Sequence, residues 1–198
     1  MNDLFSISSM TPEKHYVGDD PVFVMDVPNQ ESWIGHLGEE ISKHRSRFRN
    51  SHKINGRWEN SYLDIDVVPS AKIPMRFART AAIEILGIHS VLLFEPLPGS
   101  KESLPPFWFN IAKPGEITGL HDHANLSALS AVVYIQADSN AGNLYFEKDP
   151  GIEVIPEPGK IVLFPPHLKH GVQENQSNEE RISLAFNLFP FPLPMQNL

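Results

Sequence analysis

The 198-residue chain is 41% hydrophobic and 20% charged, which suits a single folded domain over 1–198 with a sizeable core and excludes a disordered polymer. A formal net charge of −8 argues against a general nucleic-acid binder, whose surface has to be basic to neutralise phosphates. There is no cysteine, so disulfides, thiolate metal sites and cysteine nucleophiles are excluded, and any metal has to sit on His, Asp or Glu.

The amino-terminal MNDLFSISSM has no basic start followed by an apolar run, so no signal peptide is expected. No stretch approaches the roughly 18 apolar residues of a membrane span. The expected location is therefore cytoplasmic, with no membrane partner. VFVMDV (22–27) reads as a strand. QESWIGHLGEEISKHRSRFRN (30–50) reads as a helix with Ile34, Leu37, Ile41 and Phe48 on one face, Asn29 as its cap, and Lys43, Arg45, Arg47 and Arg49 towards its carboxyl end. A second helix is expected over 74–86, with Pro74 in its first turn, Met75, Ala78, Ala82 and Ile85 as its apolar face, and Gly87 as its stop.

From residue 88 the pattern changes. SVLLFEP (90–96), FWFNIA (107–112), LSALSAVVYIQ (126–136), NLYFEK (143–148), KIVLFPP (160–166) and RISLAFNLF (181–189) are strand-like runs separated by Pro, Gly, Asn and Asp. That is a mainly β, antiparallel pattern of sandwich or jelly-roll type over 88–190, with a mixed α/β part over 1–87 and the helices flanking the β-structure. The tail PFPLPMQNL (190–198) is expected to be irregular.

Three pieces carry chemistry. In GLHDHANLSALSAVVYI (119–135), His121 and His123 are two apart, so in a strand they point the same way and can chelate, while Asp122 points opposite. The competing reading is a pair of solvated histidines at a strand end. In PEPGKIVLFPPHLKHGV (156–172), Pro165 and Pro166 stop a short strand, so His167 and His170 fall at its rim. There His170 is the choice for a third ligand and His167 for an exposed loop residue. In ERISLAFNLF (180–189), Arg181 and Ser183 share a face. A buried arginine is expensive unless it meets an anion, but taken alone this one reads better as a strand-start residue that snorkels to solvent or pairs with Glu179 or Glu180.

Taken in order, these residues resemble the iron(II)- and 2-oxoglutarate-dependent oxygenases, and more specifically the oxygenase family related to prolyl hydroxylases. The resemblance rests on Asn110, His121 and His123, LSAVVYI at 129–135, GNLYFEKDP at 142–150, EPGKIVLFPPHLKHGV at 157–172 and RISLAFN at 181–187. It covers about 107–189. Before that it is thin, with GRWENSYL (56–63) a further match.

The resemblance implies a double-stranded β-helix (jelly roll) with iron(II) near its open end. The usual ligand set in that superfamily is a His, a carboxylate two residues later and a distal His. Here His123 stands where the carboxylate is expected and Asp122 comes one place early. The period of two favours His121, His123 and His170 as the metal ligands, with Asp122 as the alternative. The resemblance further implies that 2-oxoglutarate is the cosubstrate with O2, that Arg181 and Ser183 hold its distal carboxylate, and that Asn110 and Tyr134 hydrogen-bond it. The expected outcome is hydroxylation of a small molecule, amino acid or peptide, with Trp58, Trp108 and His167 as candidate substrate contacts. Two other readings stay open: a cupin-like three-histidine dioxygenase that does not use 2-oxoglutarate, and a non-enzymatic metal-binding β-sandwich module.

Overall fold

The computed structural model describes residues 7, 10–54, 56–96, 103–123, 127–148 and 151–193. In chain order its elements are β1 (Glu13–Val17), β2 (Asp20–Asp26), α1 (Gln30–His44), β3 (Arg49–Ile54), β4 (Arg57–Tyr62), α2 (Lys72–Glu84), β5 (Ser90–Leu92), β6 (Phe107–Ala112), β7 (Thr118–His121), β8 (Leu129–Gln136), β9 (Leu144–Phe146), β10 (Glu153–Val154), β11 (Lys160–Phe164), β12 (His170–Val172) and β13 (Arg181–Pro190). The strands form two sheets. The larger runs β1-β2-β11-β8-β13-β6-β4-β3, with β5 added onto β13, and the smaller runs β10-β9-β12-β7. From β6 onward the chain keeps passing between them, so that β6, β8, β11 and β13 lie in the large sheet and β7, β9, β10 and β12 in the small one. That winding is a double-stranded β-helix, a jelly roll.

The two faces of β13 show why the sequence adopts this arrangement. Ile182, Leu184, Phe186 and Leu188 enter one core with Trp33, Leu37 and Ile41 of α1 and Met75, Phe77, Ala78 and Ala82 of α2, so the helices cover the outer face of the large sheet. Arg181, Ser183 and Ala185 alternate with them and are buried on the other face. A second core of Val22, Val24, Val162 and Phe164 from the large sheet and Leu144, Phe146 and Val154 from the small one closes that side. Both faces of β13 are thus covered, which accounts for its nearly continuous apolar run.

Several expectations about the first half change. The first helix ends at His44, followed by a 3-10 turn over Arg45–Arg47, because Arg49 and its successors pair with β4 instead. Trp33, Leu37 and Ile41 form its buried face, with Ile34 half-buried. Asn29 makes no side-chain cap; it sits at φ 54 with its carbonyl accepting from the Ser32 hydroxyl at 2.7 Å. The second helix starts at Lys72, and Gly87 takes a left-handed φ of 68 beyond its end. Strands β1, β3 and β4 were not expected. RNSHKI and RWENSY lack apolar alternation because they form a hairpin with exposed positions along it. The carboxyl tail is regular as far as Pro190, and residues 194–198 of that expectation lie outside the described residues. Among the described residues, no helix is long and apolar enough to cross a membrane.

Gly142 anchors the loop after β8. It holds φ 93, and a Cβ there would meet the Gln173 carbonyl oxygen at 2.2 Å. Gly142→Ala should therefore lose about 1–3 kcal/mol of stability in urea denaturation. Parent-like stability would show that the two loops separate freely.

Candidate active site

The small sheet delivers two of the histidines. His121 is the last residue of β7 and His170 the first of β12, and they sit directly opposite each other in the ladder. His123 follows two residues later, with its backbone N–H donating to the Pro166 carbonyl at 2.9 Å. The prolines that stop β11 thus also tether the third histidine. The ligand atoms of His121, His123 and His170 all lie within 4.8 Å of one another, with His123 Nε2 at 3.2 Å from His170 Nε2. Asp122 is exposed and outside this cluster. The His167 side chain is 58% exposed and faces Asp20 at 3.2 Å.

Hydrogen bonds set the orientation of two rings. His121 Nδ1 lies 2.8 Å from the Gly119 carbonyl, and His170 Nδ1 lies 2.9 Å from the Leu168 carbonyl. A carbonyl only accepts, so both Nδ1 atoms carry the proton and both Nε2 atoms present lone pairs to the cluster. Burial, followed by the neighbouring His121, pushes His123 down to about 4. Burial, followed by His121 and His123, pushes His170 down to about 3. Neutral imidazoles with converging lone pairs are the form that binds a cation. Two imidazole nitrogens bound side by side at about 2.1 Å from one ion would stand roughly 3 Å apart, close to the spacing of His123 and His170. The residues fit a divalent metal. Trp108 stacks on His123 at 5.3 Å between centroids, and Phe164 closes edge-on against His170 at 4.6 Å.

Arg181 opens β13, is 1% exposed, and reaches Thr118 at the start of β7, the strand that ends at His121. Its Nη1 donates to the carbonyls of Ala141 and of Gln173, the latter at 3.2 Å, and its Nη2 donates to Thr118 Oγ1 at 3.3 Å. A guanidinium has five N–H donors, so the Nε–H and one Nη2–H have no acceptor among the described residues. Among the described residues no carboxylate is bonded to it. Burial lowers Arg181 only to about 10, so it is charged at neutral pH. Ser183 stands opposite Asn110 of β6 on one side and Tyr134 of β8 on the other. The Tyr134 hydroxyl is fully buried without a partner, and burial pushes it up to about 12 against the pull of Arg181, so it keeps its proton. The structure thus gathers an unpaired cation and an unpaired hydroxyl on one interior face.

Asn110 is more engaged than its sequence position suggests. Its Oδ1 accepts from Arg57 Nη2 at 2.8 Å and from Thr118 Oγ1 at 3.1 Å, and its Nδ2 donates to the Glu59 carbonyl at 3.0 Å. One amide N–H remains for a ligand. Arg57, Glu59, Glu116 and Thr118 escaped the sequence reading. For Arg57 and Glu59 the one signal was GRWENSYL, whose buried charges make sense only against β6 and β7. A separate open groove of about 600 Å³, lined by Ile34, Gly38, Arg45, Gln136 and Glu179, lies on the helix side of the large sheet and holds none of the site residues.

Residues 147–187 match the family model described as "Putative 2OG-Fe(II) oxygenase", a segment that includes His170, Arg181 and Ser183. The fold is similar to that of a Pseudomonas putida prolyl-4-hydroxylase, at 14% identity and TM-score 0.64 over 88% of this chain and 95% of that one. It is similar to a Trichoplax adhaerens prolyl hydroxylase in complex with a hypoxia inducible factor peptide fragment, at 10% identity and TM-score 0.63 over 85% and 83%. It is also similar to the epimerase SnoN in complex with Fe3+, alpha ketoglutarate and nogalamycin RO, at 12% identity and TM-score 0.66 over 86% and 79%. No curated protein sequence matches the chain. The winding of the sheets is that of a double-stranded β-helix, and the cluster of His121, His123 and His170 could hold a metal ion.

The depressed histidines also set an acid limit. Their ordinary value is 6.5, and in the folded metal-free protein they stay neutral down to about 4 and about 3. Below pH 6.5 the unfolded chain takes up protons that the folded chain refuses, so stability falls as pH drops from about 6.5 towards 4. At pH 5 the loss is up to about 2 kcal/mol per histidine. Urea denaturation of the metal-free protein at pH 7 and pH 5 measures it, and His123→Gln combined with His170→Gln should flatten the difference. An unchanged acid sensitivity in that double variant would place its source elsewhere.

Proposed function

We propose that His121, His123 and His170 hold the iron(II), and that Arg181, assisted by Ser183 and the Tyr134 hydroxyl, holds the distal carboxylate of 2-oxoglutarate. When bound, iron(II) and 2-oxoglutarate supply the oxidising chemistry, in which O2 and the 2-oxo acid give succinate, carbon dioxide and one oxygen atom inserted into a substrate C–H bond. The observation that carries this reading is the buried Arg181 cation, with two N–H donors unspoken for and no carboxylate bonded to it among the described residues. A buried charge is held at a cost of several kcal/mol unless compensated, and a planar carboxylate fits a two-pronged donor edge. Thr118 and the Ala141 and Gln173 carbonyls fix the rest of the guanidinium, so the open donors are oriented before the ligand arrives. The Gly119 and Leu168 carbonyls do the same for two of the metal ligands by taking their Nδ1 protons.

The substrate approaches past the β3–β4 hairpin in this reading. Tyr62 lies beside Trp108 at 6.5 Å between centroids, and its hydroxyl oxygen accepts from Ser51 Oγ and Asn60 Nδ2, each at 3.2 Å. His52 Nδ1 lies 2.8 Å from Ser51 Oγ and 3.2 Å from Asn60 Nδ2, and the ring is exposed. His52 is held at φ 55, a backbone strain of the kind that marks binding sites. Together with the half-exposed Trp58, this wall suits an amino acid, peptide or other small molecule with hydrogen-bond acceptors near the oxidised carbon. The peptide in the Trichoplax complex and the nogalamycin RO in the SnoN complex support that range of ligands. A redox-sensitive iron(II) centre fed by a metabolite fits a cytoplasmic location.

Replacing His121, His123 or His170 with alanine should abolish stoichiometric iron(II) binding, while Asp122→Ala and His167→Ala should keep it. Loss with Asp122→Ala and retention with His123→Ala would restore a carboxylate ligand. Arg181→Met should weaken 2-oxoglutarate binding to the iron-loaded protein by about 2–5 kcal/mol in calorimetry, with iron retained. Equal affinity would make Arg181 merely structural. For the hairpin, amino acids and peptides can be screened for stimulation of succinate formation. His52→Ala should lose the stimulation and keep basal turnover, whereas undiminished stimulation would move the substrate elsewhere.

A further inference from the structure

The interior holds a second buried arginine that is the opposite of Arg181. Arg57 has a side chain only 11% exposed, and every N–H it carries faces an acceptor. Nη1 donates to the Ile117 carbonyl at 2.8 Å and pairs with Glu59 Oε1 at 3.3 Å. Nη2 donates to Asn110 Oδ1 at 2.8 Å and the Ile111 carbonyl at 2.9 Å, and Nε donates to Glu116 Oε2 at 3.2 Å. A saturated arginine paired with two carboxylates offers nothing to a ligand. It ties strand β4 to β6 and to the start of β7.

Its partner Glu59 is 4% exposed. Glu59 Oε1 accepts the Gly119 backbone N–H at 3.1 Å, and the carbonyl of the same glycine accepts the Nδ1 proton of His121 at 2.8 Å. The backbone of one residue is thus gripped by a carboxylate on its amide side and grips a histidine on its carbonyl side. Residue 119 has no side chain of its own to brace it, and Ile54 crowds the space where a Cβ would stand, at 3.1 Å. In the other direction, Arg57 fixes Asn110, which accepts from Thr118, which accepts from Arg181. Glu59 Oε2 is buried with no partner, a cost that a merely structural ion pair in this place would not require.

We infer that the Arg57–Glu59 pair is a positioning device joining the two halves of the site: Glu59 sets His121 through the Gly119 backbone, and Arg57 sets Arg181 through Asn110 and Thr118. The inference rests on the reading of the histidines and Arg181 proposed above. Neither residue touches the metal or the cosubstrate. Carboxylates and carbonyls that orient a ligating histidine change metal affinity by about 10–100-fold when removed.

The test is anaerobic titration of the full chain, first with iron(II) and then, at saturating iron(II), with 2-oxoglutarate. Glu59→Ala should lower iron(II) affinity at least about tenfold and change 2-oxoglutarate affinity less than about threefold. Glu59→Gln keeps an acceptor for the Gly119 N–H and should recover most of the iron(II) affinity. Arg57→Met frees both Glu59 and Asn110 and should lower both affinities. Leu37→Ala, in the helix-side core, provides a variant of lowered melting temperature in which both affinities should stay parent-like. Parent-like iron(II) binding by folded Glu59→Ala would overturn the inference. So would a loss in Glu59→Ala that falls equally on both ligands and is matched by Leu37→Ala. If His170→Ala keeps its iron(II) or Arg181→Met keeps its 2-oxoglutarate, the reading of the site itself fails and the inference falls with it. Parent-like Glu59 variants beside a defective His170→Ala and Arg181→Met would remove the positioning pair alone.

Discussion

A guanidinium 1% exposed and bonded only to neutral oxygens has to be compensated by its surroundings, and much of the inner architecture answers that need. Arg181 opens β13, the strand that is hydrogen-bonded to both β6 and β8 in the middle of the large sheet. Its fixed donors reach across to β7 of the small sheet and to the loops that carry Ala141 and Gln173. Nearby, Arg57 is balanced by Glu59 and Glu116, and these two glutamates also favour the charged form of Arg181. The four charges come out even, yet Arg181 itself touches none of the carboxylates. Under the proposed function, an incoming carboxylate would meet a cation already oriented, near the Tyr134 hydroxyl.

The alternation of the chain between sheets is what brings the three histidines together. β7 and β12 are far apart in sequence, but they pair in the small sheet so that His121 faces His170. Two prolines end β11, and the carbonyl of the second holds the backbone of His123 over the pair. Carbonyls two residues upstream of His121 and His170 take their Nδ1 protons, so the rings cannot flip without losing a hydrogen bond. The histidine cluster and Arg181 are therefore set by separate elements, and hydrogen bonds from the β4 charges run towards both.

What the sequence revealed follows from the range of each interaction. Strand periodicity is local, so His121 and His123 read as a same-side pair, and Pro165 and Pro166 read as a strand end that leaves His170 at a rim. The Arg181–Ser183 spacing likewise placed both residues on one face, which is buried. An antiparallel sandwich or jelly roll was legible from six apolar runs and their turns, and the family resemblance narrowed it to the double-stranded β-helix. Helix α2 was legible because its apolar face and Gly87 are local signals. The end of α1 was not, since the basic residues after it read as a helix terminus while Arg49 was already pairing in β3 with Tyr62 of β4. Strands β3 and β4 are polar on their exposed positions and gave no apolar alternation. Arg57 and Glu59 look like surface charges beside an exposed tryptophan, and their burial exists only once β4 lies against β6 and β7. Asn110 was readable as a polar residue in an apolar strand, but not as one whose amide is largely taken up by Arg57, Thr118 and Glu59.

The central claim is that one interior site takes a metal on three histidines and a dicarboxylic 2-oxo acid on a pre-set arginine. The most direct measurement is the anaerobic visible spectrum of the iron(II) protein as 2-oxoglutarate is added, followed by admission of O2. A 2-oxo acid chelating the metal next to Arg181 should give a weak charge-transfer band that saturates with 2-oxoglutarate, and succinate should form once oxygen enters. A monocarboxylic 2-oxo acid should produce the band only at much higher concentration. No band, and no succinate under oxygen, would contradict the account and favour a three-histidine dioxygenase that works without 2-oxoglutarate.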